Sequence, residues 1–244
     1  MSTARHLYAH LPFCEHRCGY CDFVTAVGRE GEHAAYVDAL LAELELERGA
    51  LADEVETVFL GGGTPTFTES GPLARLLGGL PVAGEVTVEA NPETVTPALA
   101  GLLSRNGVDR VSIGAQSFQP RLLTILERRA QPDDVRRAFY HLRDAGFDNI
   151  SLDLLYGIPG QSPSDLDADL AEALALEPEH VSCYELEAKP GTRFTHAHGA
   201  DLDLTRHPLR RKPQMATDGH RWTRRADVGQ ILSRAGALFQ RRLD

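Results

Sequence analysis

His6-Leu7-Tyr8-Ala9-His10-Leu11 alternates polar and apolar positions with the period of two of a half-buried strand, and Pro12 ends it. Over residues 32–49 the apolar positions change to helical spacing. Val37, Leu40, Leu41 and Leu44 fall at i, i+3, i+4 and i+7, and Glu43, Glu45 and Glu47 lie mostly off that stripe, so an amphipathic helix with a solvated acidic face is expected. A second strand over 57–60 breaks into Gly61-Gly62-Gly63-Thr64-Pro65-Thr66. Backbone bare of side chains there either lets a ligand approach closely or makes a tight turn into the next helix. No lysine follows, which argues against a P-loop.

Three further strands are expected at 85–90, 110–116 and 150–156, each after a helical segment. One face of each is apolar: Val86 and Val88, Val111 and Ile113, then Ile150, Leu152 and Leu154. The other carries Thr87 and Glu89, Ser112 and Gln116, then Ser151 and Asp153. In a barrel of parallel strands wrapped by helices the apolar faces meet the helices and the polar faces line the interior. Active sites of such barrels sit at the carboxyl ends of the strands, which makes Glu89, Gln116 and Asp153 candidates for one binding site. Taken singly they also read as a solvated carboxylate, a turn residue and a partner for a backbone amide. Between the strands, Thr96-Pro97 and Ser162-Pro163-Ser164-Asp165 are helix starts, and Gly107 is a stop. A sixth strand over 180–186 contains Cys183, read as a small buried hydrophobe.

The 244 residues, 42% hydrophobic, suffice for one α/β barrel or two small domains. No apolar run reaches the roughly 18 residues a membrane span needs. The net charge of −10 is uneven: residues 205–244 hold ten Lys and Arg against three Asp and Glu, leaving fifteen against thirty-two in 1–204. The chain therefore divides into a core, 1–204, and an arginine-rich tail, 205–244, expected to be poorly ordered and not a folded domain. The tail contains no Glu and no organised basic motif, so no nucleic-acid partner is expected.

Three of the four cysteines, Cys14, Cys18 and Cys21, form a C-x3-C-x2-C loop directly after the first strand. With few cysteines and no signal peptide in the sequence, a cytoplasmic location with reduced thiols is expected. A Cys3His zinc site using His10 or His16 remains an alternative. Three thiolates for a four-iron cubane leave one iron open, which S-adenosylmethionine can chelate. This spacing resembles that of the radical SAM superfamily. In that superfamily an aromatic such as Tyr20 commonly backs the adenine.

The stretches YAHLPFCEHRCGYCDF, FLGGGTPT, VEANPET, SIGAQSF and LDLLYGIPGQ, spread over residues 8–161, resemble the oxygen-independent coproporphyrinogen III oxidase family. The resemblance implies an α/β fold, a partial (β/α)6 TIM-like barrel, with a [4Fe-4S] cluster on Cys14, Cys18 and Cys21. It implies S-adenosylmethionine held by Gly62, Gly63 and Thr64, with Tyr8, Tyr20, Glu89, Gln116, Arg128 and Asp153 in contact with it; no catalytic residue is singled out. Phe23 stands where the oxidases carry a further cysteine, and only thirteen residues precede Cys14, which points to the heme chaperone branch. That branch implies heme as a ligand, respiratory proteins as recipients and an electron donor; the oxidase alternative implies decarboxylation of a porphyrinogen. The tail departs from the family, and a truncated or altered C-terminus is expected.

Overall fold

A computed structural model of the chain describes residues 3–187 and 189–198. The expectations for the tail, 205–244, lie outside the described residues, and so does the end of the expected core.

Six parallel strands form a single sheet in sequence order: β1 (His6–Leu11), β2 (Val55–Gly62), β3 (Ala83–Ala90), β4 (Arg110–Gln116), β5 (Ile150–Tyr156) and β6 (His180–Glu185). Parallel neighbours need a crossover, and helices supply it: α1 (His33–Glu47), α2 (Ser70–Gly79), α3 (Pro97–Arg105), α4 (Pro120–Ile125) with α5 (Pro132–Asp144), and α6 (Pro163–Ala175). A short α7 (Arg193–His198) follows β6. Among the described residues no pairing joins β6 back to β1, and the expected partial barrel is there an open six-stranded one.

The alternation seen in the sequence becomes the two faces of the sheet. Ala9, Leu11, Val58, Leu60, Val88, Ala90, Val111, Ile113, Ile150, Leu152 and Leu154 pack in one core beneath the helices, joined by Leu73, Leu76, Leu103, Phe139 and Leu142. Strands with one apolar face hold register through that pattern, because a one-residue slip would turn every apolar side chain inward. The helix starts follow the sequence signals: Thr96 Oγ1 accepts from Leu99 N at 3.2 Å, and Ser162 with Asp165 closes a capping box. Cys183 is partly buried and packs on the same core, where burial pushes its thiol up to about 11.

One irregularity matters for the site. Between β4 and β5 the register steps from Gly114 opposite Asp153 to Gln116 opposite Leu154, and Gln116 adopts φ 66°. A bulge with a left-handed non-glycine residue is conformationally costly and re-aims the strand end. It falls at the carboxyl end of β4, on the rim of the cavity described next.

Candidate functional site

The carboxyl ends of the strands surround a cavity of about 420 Å³. Cys14, Cys18, Cys21, Tyr20, Gly62, Gly63, Thr64, Glu89, Gln116, Arg128 and Asp153 all line it. Every residue that the family resemblance assigns to the cluster or to S-adenosylmethionine is thus brought to one place except Tyr8. Tyr8 is 55% exposed, hydrogen-bonds His10 Nδ1 at 3.1 Å and stands near Glu89 outside the cavity wall.

The cysteine loop, residues 12–26, has almost no secondary structure of its own, so other elements hold it. Cys14 N–H donates to Ala26 O at 3.0 Å, and the buried Cys14 Sγ lies 3.4 Å from Thr64 Oγ1. Burial raises the Cys14 thiol, offset in part by that hydroxyl, and burial likewise raises Cys21. The glycine run explains how the loop sits down. A Cβ on Gly63 would lie 2.4 Å from Pro12 O, one on Gly62 2.7 Å from the His10 ring, and one on Gly61 2.8 Å from Glu89 Oε2. These glycines admit the protein's own cysteine loop and carboxylate before they admit any ligand.

Arg128 lies in the connection between α4 and α5, not on a helix surface, and is 8% exposed. Its Nη1 donates to Asn91 Oδ1 at 2.9 Å and contacts Cys18 Sγ at 3.5 Å, while Nη2 donates to Gly114 O at 2.7 Å. Asn91 in turn donates to Thr64 Oγ1 at 3.1 Å, so one chain of bonds runs from Cys14 to Cys18 around the cavity. Its neighbour Arg129 pairs with Glu15 at 3.1 Å on the outside.

Two carboxylates face the same space. Gly62 N–H donates to Glu89 Oε2 at 3.2 Å, yet burial pushes the Glu89 carboxyl up to about 7. Ser112 Oγ donates to Asp153 Oδ2 at 2.9 Å, and burial raises Asp153 as well. Asp153 Oδ1 and Arg128 Nε are buried without a partner. An acceptor and a donor left open beside three thiols suit a polar cofactor with its own hydrogen-bonding groups.

Sequence reasoning missed Asp169. This fully buried residue of α6 accepts from Ser117 Oγ and Phe118 N–H, each at 2.7 Å, and from Gln119 Nε2 at 3.2 Å. It fixes the turn that follows Gln116. Its position on the apolar stripe of α6, between Leu166 and Leu170, was the available signal.

Among the described residues no three His, Cys, Asp or Glu side chains gather closely enough for a single metal ion. His10 Nε2 bonds Val24 O at 2.9 Å and His16 Nε2 bonds Glu127 O at 3.1 Å, so both histidines of the zinc alternative are engaged with backbone. The three thiols line one cavity instead, and as a donor set they would suit a multi-iron cluster. No helix among the described residues is long and apolar enough to cross a membrane.

Across 196 residues the chain is 40% identical to the heme chaperone HemW of Escherichia coli (strain K12), covering 77% of this chain and 52% of that protein. To the heme chaperone HemW of Bacillus subtilis (strain 168) it is 37% identical, with the same coverage. The chain thus spans about half the length of the curated relatives it matches. Among solved structures, coproporphyrinogen III oxidase (HemN) from Escherichia coli, described as a radical SAM enzyme, superposes with a TM-score of 0.71 at 27% identity, over 78% of this chain and 46% of that one. The archaeal Elp3 from Methanocaldococcus infernus, at 18% identity and a TM-score of 0.55, shares the fold. Residues 8–173, well over half of the sequence, match the radical SAM superfamily, and the chain belongs to it.

Proposed function

We propose that this chain is the cofactor-binding portion of a heme chaperone that works in the cytoplasm, binding heme and passing it to respiratory proteins. Membership of the radical SAM superfamily implies a [4Fe-4S] cluster and S-adenosylmethionine. The reading assigns the cluster to Cys14, Cys18 and Cys21. The Gly62-Gly63-Thr64 segment takes the methionine end of S-adenosylmethionine, and Tyr20 backs its adenine. Glu89, Gln116, Arg128 and Asp153 supply charged and polar contacts, with Tyr8 flanking Glu89. When bound, the cluster supplies an open iron for chelation and one-electron chemistry fed by an electron donor. The chain's own residues orient the cofactor and shield it from water.

What carries the choice of heme chaperone is the identity of 40% and 37% to two proteins of that name. Phe23, in the position where the oxidases have a further cysteine, supports it. The second reading, oxidative decarboxylation of coproporphyrinogen III, draws on the structural likeness to the oxidase.

The test is anaerobic reconstitution with iron and sulfide, followed by two assays: titration with heme, and incubation with coproporphyrinogen III, S-adenosylmethionine and a reductant. Heme binding without carbon dioxide release is expected. Carbon dioxide release with formation of the divinyl product would reverse the choice. A full-length relative runs beside it, since this chain spans about half of one.

A further inference from the structure

The three cysteines are not held in the same way. Cys14 is fixed by the bridge that pairs Phe13 with Ala26, next to the strand end. Cys18 and Cys21 lie further out, and they share a turn: Cys21 N–H donates to Cys18 O at 3.2 Å. The residues of that turn belong to no strand or helix, so its peptide groups depend on partners from elsewhere.

The partners come from a part of the chain remote in sequence. Phe194 N–H, in the first turn of α7, donates to Gly19 O at 2.9 Å, and Arg193 Nη2 donates to Arg17 O. The two carbonyls that flank Cys18 are therefore both taken by consecutive residues of α7. The same guanidinium donates from Nε and Nη2 to Glu127 Oε2 at 3.0 and 2.7 Å. Glu127 sits at φ 54° directly before Arg128, whose Nη1 contacts Cys18 Sγ. Phe194 is 1% exposed and belongs to a small apolar cluster of Leu122, Leu126, Leu155, Ile158 and Leu186, separate from the main core, with Tyr20 packed against it. Gly19 N–H closes the arrangement on Leu126 O at 3.3 Å.

We propose that the first turn of α7 is part of the cluster site, with Arg193 and Phe194 acting as positioning residues that clasp the backbone on either side of Cys18 and thereby set its thiolate and that of Cys21. The inference rests on the reading of Cys18 as a cluster ligand. It makes the segment after β6 a requirement for holding the cluster, although it contributes no ligand. Partners that orient metal ligands from behind have effects of this kind on metal retention.

The experiment uses the full chain, reconstituted anaerobically, with Cys18→Ala, Arg193→Ala, Arg193→Lys and Phe194→Ala beside the parent. Iron retained against a chelator, the electron paramagnetic resonance spectrum of the reduced cluster and the melting of the apo-protein are measured. Arg193→Ala and Phe194→Ala should weaken iron retention on the order of 10–100-fold and alter the spectrum. Arg193→Lys should restore only part, because an ammonium cannot span Glu127 and Arg17 O as the fork does. Apo Arg193→Ala, changed at a half-exposed side chain, should melt like the parent. Unchanged iron retention and spectrum in Arg193→Ala, with the cluster lost in Cys18→Ala, would overturn this inference alone. A cluster kept in Cys18→Ala would overturn the ligand reading beneath it. An apo Arg193→Ala that melts well below the parent would make the clasp general scaffolding, and the proposal would fall.

Discussion

Arg128 reaches Cys18 across 110 residues of sequence, Nη1 to Sγ at 3.5 Å, from a guanidinium that is almost wholly buried. The same fork holds Asn91 and Gly114, so it ties the cysteine loop to the ends of β3 and β4. Arg128→Ala strands those acceptors in the interior and should cost the apo chain about 3 kcal/mol. Arg128→Lys should recover less than half, since one ammonium cannot match the spread of the fork. Urea unfolding monitored by circular dichroism checks both.

Asp153 is aimed by Ser112, whose hydroxyl takes Oδ2 and leaves Oδ1 as the open acceptor. Asp153→Ala should weaken S-adenosylmethionine binding by about 2 kcal/mol and Ser112→Ala by about 1 kcal/mol, with the cluster intact in both. Calorimetry with reconstituted protein measures this. Equal affinity in parent and both variants would remove Asp153 from the cofactor site.

Glu89 gives a pH dependence with a definite sign. Its folded value, about 7, is raised above its ordinary value of 4.5 because burial disfavours the charge. Between those values the folded chain holds more protons than the unfolded one. The contribution is therefore full below the ordinary value and is lost as pH rises through about 7. The apo-protein should melt lower at pH 8 than at pH 5 for this reason, and Glu89→Gln should flatten that part of the profile. Parallel profiles in parent and variant would refute the assignment.

Gly63 has no room for a side chain. A Cβ there would meet Pro12 O at 2.4 Å, a clash with backbone that no rotamer relieves. Gly63→Ala should destabilise the chain by about 1–3 kcal/mol and lower iron uptake, whereas Gly71→Ala, where a Cβ meets nothing within 4 Å, should do neither. Iron content after reconstitution and thermal melting distinguish them.

The sequence by itself settled which residues face which way. A period of two along each strand assigns faces without reference to any neighbour, so Glu89, Gln116 and Asp153 could be placed on the inner face and at the strand ends from pattern alone. The cap at Thr96 and the capping box at Ser162 were equally legible, because capping is a contact between residues three apart. The cysteine spacing carried the cluster reading for the same reason, its chemistry being local.

Tertiary structure decided what depends on distant partners. Pattern could not tell Arg128 from Arg129, adjacent residues of one type, yet one is buried against Cys18 and the other pairs with Glu15 outside. It could not give the glycine run its neighbours, since Pro12 and His10 meet Gly63 and Gly62 only once β1 lies beside β2. Gln116's left-handed backbone, Asp169 beneath the turn after β4, and the clasp of Arg193 and Phe194 on the peptide groups around Cys18 belong to the same class. Tyr8 shows the converse: an inward-facing position on β1, but at the open edge of the sheet, where no strand among the described residues encloses it. Alternation fixes a direction, and only the packed chain fixes what lies in that direction.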